Sequence, residues 1–497
     1  MDAIVDRERQ VRALTQLSTG PGRKLALLYG RRRVGKTFLL TRLWPRDRAL
    51  YFTASATTPE INRQALIQEA AAWSGTDLRP EDHPTWRTVF RSLLQLAPER
   101  DLVVIIDEFQ YLAHGEVGLQ AVASELNAVW EGPLQRRGGL LLVLSGSAVR
   151  TLEALRAGGS ALHGRLDWSD RLRPFDYFDA GRMVQGYAPI DRLRTYAAFG
   201  GVPSYLASID ASRPLDAAIV ELLFEPHGRV RLQLATVIEQ EEGLRETNRY
   251  RAILRAIGTK RRAIGAIAAH TGEPLGTPLR RMVERLVDIE LLEGVGRIDE
   301  KRTHARLYRI ADPALRMYYG LVAPFESAIE AAGAERVWRE RVAPEAFPAY
   351  AGLHVFEDIV AQAYRRFAAA RGLPGAVTWG SWTAAGHGRA RGQDAIGPSQ
   401  DAIKIDVAAR TLAGTVLTGS LKMRRRPADV AVVVEHVANL RRLADAGIRW
   451  ARDALRADAP MLFVSTGGFT AGFRAAARGL GQPVTLWDLH DLFPEEA

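Results

Sequence analysis

Over the first third of the chain, short continuous apolar runs alternate with stretches of helical periodicity. Residues 25–29 (Leu-Ala-Leu-Leu-Tyr), 102–106 (Leu-Val-Val-Ile-Ile) and 140–144 (Leu-Leu-Leu-Val-Leu) have strand length and no polar alternation. Strands covered on both faces read this way, so the pattern predicts an α/β domain on a parallel sheet. That domain is expected over residues 1–175. Residues 176–245 read as mostly helical, with a break at Gly200-Gly201-Val202-Pro203. Residues 246–322 give three short helices and then two strands. Residues 345–497 give a long helix, strands, a helix, a strand, a helix and a strand. The Gly-, Ala- and polar-rich residues 383–400 read as a mobile loop.

The 497 residues are enough for roughly three domains. Apolar residues at 47% and charged residues at 25% fit a globular chain, and no window has the 18 apolar residues of a membrane span. Residues 1–8 are charged at once, without an apolar signal-peptide core, so a cytoplasmic location is expected. The absence of cysteine excludes disulfides, zinc thiolates and a Cys nucleophile. A net charge of +10 suits a polyanionic partner such as nucleic acid, although arginine-rich composition also follows from a GC-rich genome. Only six of the 67 basic residues are lysine, at 24, 36, 260, 301, 404 and 422. Generic positive charge is therefore a weaker explanation for a lysine here than for an arginine.

The first apolar run leads into Gly30-Arg31-Arg32-Arg33-Val34-Gly35-Lys36-Thr37 and then a helix-like segment from Phe38. This is GxxxxGK[ST] in a strand–loop–helix setting, the pattern of a phosphate-binding loop. The glycines let amide N–H groups point at phosphate, and the helix N-terminus adds positive potential. Lys36 is expected on the β/γ-phosphates and Thr37 on Mg²⁺. The second apolar run ends in Asp107-Glu108: Asp107 is expected in the Mg²⁺ shell and Glu108 beside the attacking water. The third run ends in Ser145-Gly146-Ser147, where Ser147 either senses the γ-phosphate or belongs to a simple turn. ATP with Mg²⁺ is the expected ligand.

These strings resemble the archaeal-type ATPases, P-loop relatives of the AAA+ and STAND NTPases. GRRRVGKT, IIDEFQYL and LSGSAV resemble that family's phosphate loop, Walker B strand and sensor strand, covering Gly30, Val34, Gly35, Lys36, Thr37, Phe38 and Ser147. Asp6-Arg7-Glu8 resembles its adenine-side motif, which implies a nucleotide contact for Arg7. Leu162-His163-Gly164-Arg165 and Arg173-Pro174-Phe175 resemble its GR and PF elements; Arg165 would then be a charge-sensing or finger arginine, or simply a surface arginine. GGVPSYL resembles the helical-lid motif, which implies a base contact for Pro203. A finger supplied by a neighbouring copy would require a homo-oligomer.

In the middle region, Leu279, Met282, Val283, Leu286 and Val287 form one helical stripe, with Arg280, Arg281, Glu284 and Arg285 on the other face. With the basic stretch 297–302 between two strands, this is a winged helix-turn-helix layout that the resemblance supports. DNA is its expected partner through Arg280, Arg281 and Arg285; the alternative is a protein-interaction or lid-support module. The C-terminal order resembles a PD-(D/E)xK, restriction-endonuclease-like domain, with Glu357, Asp406 and Lys422 at the positions of its two carboxylates and lysine. Two carboxylates would hold Mg²⁺ and the lysine would orient water. Ser420 stands where that pattern has an acid, so the site is either inactive or completed by another acid, Glu435 being the candidate. The leading expectation is an ATP-driven switch on DNA. The rivals are an ATP-gated nuclease and a scaffold NTPase that binds protein.

Overall fold

The computed structural model describes residues 4–132, 138–241, 244, 246–295, 298, 307–383 and 403–494. The chain divides into two compact units, Met1–Pro174 with Val202–Ser204 and Glu241–Gly243, and Phe175–Gly201 with Tyr205–Gln240 and Leu244–Ala497.

The first unit is built on five parallel strands: β1 (Arg23–Tyr29), β2 (Ala49–Thr53), β3 (Leu102–Asp107), β4 (Leu140–Gly146) and β5 (Trp168–Arg171), in the order β2-β3-β4-β1-β5. Strand side chains alternate between faces, and both faces are covered. Leu25, Leu27, Val104 and Ile106 enter one apolar cluster, while Ala26, Leu28, Val103 and Ile105 enter the other. This double burial is why the runs are continuous rather than alternating, and each buried aliphatic side chain contributes about 1.5–3 kcal/mol. The C-terminal ends of β1, β3 and β4 bring the phosphate-loop sequence, Asp107 and Ser147 to one edge.

The second unit contains two sheets. β6 (Arg262–Ala263), β7 (Leu292–Val295) and β8 (Leu307–Ile310) are antiparallel in the order β6-β8-β7. They accompany helices Thr247–Ile257, Ile264–Thr271 and Thr277–Asp288. The second helix starts at Ile264, because Arg262 and Ala263 before it pair with β8. The predicted stripe on the third helix is the buried one: Leu279, Met282, Val283 and Leu286 are inside. Except for Ile298, the basic stretch 297–302 lies outside the described residues.

The other sheet contains β9 (Ala376–Thr383), β10 (Lys404–Thr411), β11 (Val416–Lys422), β12 (Met461–Ser465) and β13 (Val484–Trp487) in the order β13-β12-β11-β10-β9. Its first three strands are antiparallel and its last three parallel. Thr383 closes β9; residues 384–400 of the predicted loop lie outside the described residues. Helix Phe356–Phe367 carries Asp358, which accepts Arg309 of β8 and Arg316 at 2.8 Å each. Burial alone would raise the Asp358 pKa, but these two arginines outweigh it and hold it below the usual carboxylate range.

Candidate functional site

The phosphate loop is shaped by backbone constraints. Gly30 (φ 157) lies so close to β5 that an added Cβ would be 2.2 Å from the Leu172 carbonyl oxygen. Gly35 (φ 96) turns left-handed to start helix Lys36–Leu43, a conformation costly for any other residue type. The Lys36 ammonium is buried and held by the loop itself, donating to the carbonyls of Gly30 at 2.8 Å and Arg31 at 3.1 Å. Burial lowers its pKa, opposed by the charges of Glu108 and Asp107.

The carboxylates of Asp107, the last residue of β3, and of Glu108 after it meet mainly hydroxyl and amide donors. Asp107 Oδ2 accepts from Thr37 Oγ1 at 2.8 Å and Tyr51 Oη at 2.5 Å. Glu108 sits in the left-handed region (φ 53), a conformation that non-glycine residues hold mainly where surrounding structure enforces it. One of its oxygens accepts from Ser147 Oγ at 2.6 Å, from Ser147 N at 3.2 Å and from Gln110 Nε2. A carboxylate and a hydroxyl converging as Asp107 and Thr37 do form a hard oxygen donor pair of the kind Mg²⁺ takes. The residues present therefore fit a nucleotide–Mg²⁺ ligand: glycine-rich loop, helix N-terminus, lysine and oxygen pair lie on one edge.

The remaining predicted residues fall as follows. Arg7 is buried and brackets the loop, donating to the carbonyls of Val34 at 3.3 Å and Arg173 at 2.8 Å. Pro203 is at the loop, its Cγ 4.0 Å from where a Gly35 Cβ would be. Phe38 is 39% exposed, with the Arg42 guanidinium 3.7 Å over its ring. Arg165 does not join them. The Asp167 N–H bonds the carbonyl of Leu25 at the start of β1, and Arg165 pairs with Glu131 at 3.1 Å. Leu25 precedes Gly30 by five strand residues, about 16 Å at strand rise, so Arg165 lies toward the opposite end of the sheet. Arg165, expected as a charge-sensing or finger arginine or else a surface arginine, thus stands apart from the phosphate-loop edge and is paired on the surface with Glu131.

Sequence reasoning missed Tyr51 and Gln110. Gln110 was visible in IIDEFQYL, two residues after Glu108. Tyr51 had no such signal, because its reach to Asp107 depends on β2 lying beside β3.

Residues 4–209 match the family described as an ATPase domain predominantly from Archaea. The chain carries an archaeal-type P-loop ATPase domain. An uncharacterized protein of Methanocaldococcus jannaschii is 23% identical over 330 residues, spanning 66% of this chain and 70% of that protein. Among solved structures, a Walker-type ATPase of Pyrococcus abyssi is similar at 22% identity and a TM-score of 0.46, covering 64% of this chain and 96% of that one. The Aeropyrum pernix ORC2 protein in its ADPNP–ADP complexes is similar at 17% identity and a TM-score of 0.41, covering 66% and 96%. The ATPase domain's matched segment contains every residue of the phosphate-loop edge described above. No helix among the described residues is long and apolar enough to cross a membrane.

Outside the ATPase domain, Arg280 and Arg281 are exposed and Arg285 half-buried on the outer face of helix Thr277–Asp288, with Glu284 among them. Glu357, Asp406 and Lys422 do come together. With Lys404, Ser420 and Glu435 they line one cleft of about 410 Å³. Lys404 occupies the space between the two carboxylates: its Nζ is 2.9 Å from Glu357 Oε1 and 3.0 Å from Asp406 Oδ1. Arg261 also donates to Glu357, and to Ser381 Oγ at 2.7 Å. Ser420 Oγ and the Leu421 N–H donate to Asp406 Oδ2, each at 3.0 Å. Burial would raise the Asp406 pKa, but Lys404, the Leu421 N–H and Lys422 hold it below the carboxylate range. No group of three or more His, Cys, Asp or Glu side chains among the described residues is arranged to hold a metal ion.

Proposed function

We infer that the protein binds ATP with Mg²⁺ at the phosphate-loop edge and acts as a nucleotide-controlled switch on DNA. The observation that carries the nucleotide reading is the shared oxygen of Asp107. It accepts from Thr37 while Lys36 is held apart on loop carbonyls. In this reading Lys36 binds the β/γ-phosphates, Thr37 and Asp107 hold Mg²⁺, and Glu108, steadied by Ser147, orients the attacking water. When bound, the metal neutralises charge developing on the phosphates. Pro203 and Arg7 brace the loop from the two sequence ends of the domain, and Val202–Ser204 is joined through the chain to helices of the second unit.

Arg280, Arg281 and Arg285, on one helix face of the winged-helix layout, support a DNA partner for that unit. The nuclease reading has less support. A metal ion there would have to displace Lys404 from two carboxylates whose charge Lys404 and Arg261 already balance.

The test is DNA binding at two salt concentrations with ATP, with ADP and without nucleotide, alongside Lys36→Ala. The switch predicts salt-sensitive binding that differs between ATP and ADP, with the difference lost in the variant. Absence of DNA binding in every state would leave a protein-binding NTPase as the better reading.

A further inference from the structure

We propose that the C-terminal cleft is a metal-independent phosphate-binding site, in which Lys404 is a built-in counter-ion and Lys422 receives a phosphate group of a nucleic-acid strand.

Two of the chain's six lysines, Lys404 and Lys422, line this one cleft of about 410 Å³. Two carboxylates converging on one point define a cation position. Here the cation is part of the chain, with Lys404 Nζ at 2.9 and 3.0 Å from the two oxygens. Arg261 supplies a second positive charge to Glu357, so the carboxylate pair is already neutral. An ammonium has three donors. Glu357 and Asp406 take two from Lys404 and leave one for a ligand oxygen.

Lys422 adds a second donor group. It is half-buried at the end of β11, and no ion pair to it is found among the described residues. Its charge acts on Asp406 without a direct bond. Arg424 lines the same cleft, and Arg425 and Arg426 follow it in sequence. Against these stands Glu435, the one cleft carboxylate that neither Lys404 nor Arg261 engages. The cleft thus keeps Lys422 and Arg424 as donors for a tetrahedral oxyanion, with Glu357 and Asp406 balanced and Glu435 the one acid left to oppose them. Phosphate diesters of nucleic acid and free phosphate share this chemistry, and the experiment separates them. The proposal does not depend on the winged helix meeting DNA.

The experiment uses the full chain with Arg280→Ala, Arg281→Ala and Arg285→Ala combined, nucleotide-free and in EDTA. Fluorescence anisotropy follows a labelled single-stranded oligonucleotide. The expected result is residual binding that is unchanged by Mg²⁺, weakened about tenfold by Lys422→Ala, with a salt slope smaller by about one. Inorganic phosphate at millimolar concentration should compete weakly; competition at concentrations matching the oligonucleotide would identify free phosphate as the ligand and overturn the nucleic-acid assignment. Binding that needs Mg²⁺, or that Lys422→Ala leaves unchanged, would overturn the site itself. A second measurement counts Mn²⁺ by electron paramagnetic resonance. Lys404→Ala should gain one bound ion that Lys404→Ala/Asp406→Asn lacks, with melting curves confirming that each variant is folded. An equal ion count in the two variants would show that Lys404 does not hold the cation position. Failure of the triple arginine variant to lose any DNA affinity would count against the winged-helix reading and leave this one standing.

Discussion

The phosphate-loop edge and the C-terminal cleft use the same materials and arrange them oppositely. Each has an aspartate on an interior strand next to the sheet edge, a second acid and a scarce lysine. At the phosphate loop, Lys36 is bonded to backbone carbonyls, and Asp107 and Glu108 are bonded to hydroxyl and amide donors. Those neutral donors leave the carboxylate charge available to an incoming cation. In the cleft, Lys404 is bonded to the carboxylates themselves, and their charge is used within the chain. The presence of acids and a lysine at plausible spacing therefore says little until the partner of the lysine is known. Chemistry follows from where the positive charge rests.

The comparison breaks most visibly at Glu108. Glu108→Gln is expected to lower ATP turnover by about 10²–10⁴-fold while ATP binding persists, since only the orientation of water is lost. Binding lost in parallel with turnover would contradict that assignment. Paired aspartate variants come next. Asp107→Asn should reduce Mg²⁺-dependent turnover by about 10²–10³-fold, whereas Asp406→Asn leaves it unchanged in a steady-state phosphate-release assay.

A third prediction concerns pH. His436 is buried against the cleft, 3.2 Å from Thr418 Oγ1 and edge-on to Phe463. Burial pushes its pKa down to about 4; Asp406 opposes this and Lys422 adds to it. A depressed histidine contributes stability that is present above its unfolded pKa of about 6.5 and is lost as pH falls toward 4. Across that window the extra proton taken up by the unfolded state removes about 3 kcal/mol of stability in total. His436→Gln should flatten the slope in urea titrations at successive pH values; an unchanged slope would place the effect elsewhere. The smallest effect is expected at Gln110→Ala. It removes one of three donors to Glu108 and should change turnover by less than tenfold, with KM for ATP unaffected.

Local patterning carried much of the fold. Continuous apolar runs announced β1, β3 and β4 because both sheet faces are covered, and the stripe from Leu279 to Leu286 announced the buried face of its helix. The phosphate loop was legible because its spacing lies within one strand–loop–helix. Sites assembled across strands were less so. Glu357, Asp406 and Lys422 line one cleft, yet nothing in their spacing showed that Lys404, two residues before Asp406 on β10, sits between the acids. Tyr51 on Asp107, and Arg165 displaced toward the far end of its sheet, depend likewise on strand order and not on neighbouring residues. The arginines on Asp358 belong to the same class, since they come from β8 and from the helix after it.

The most direct test counts Mn²⁺ bound per chain, by electron paramagnetic resonance, after gel filtration with a non-hydrolysable ATP analogue. The expected result is one ion per chain, lost in Asp107→Asn and retained in Asp406→Asn. A second ion that disappears in Asp406→Asn would mean that Lys404 yields its place to metal, and the contrast between the two lysines would fall.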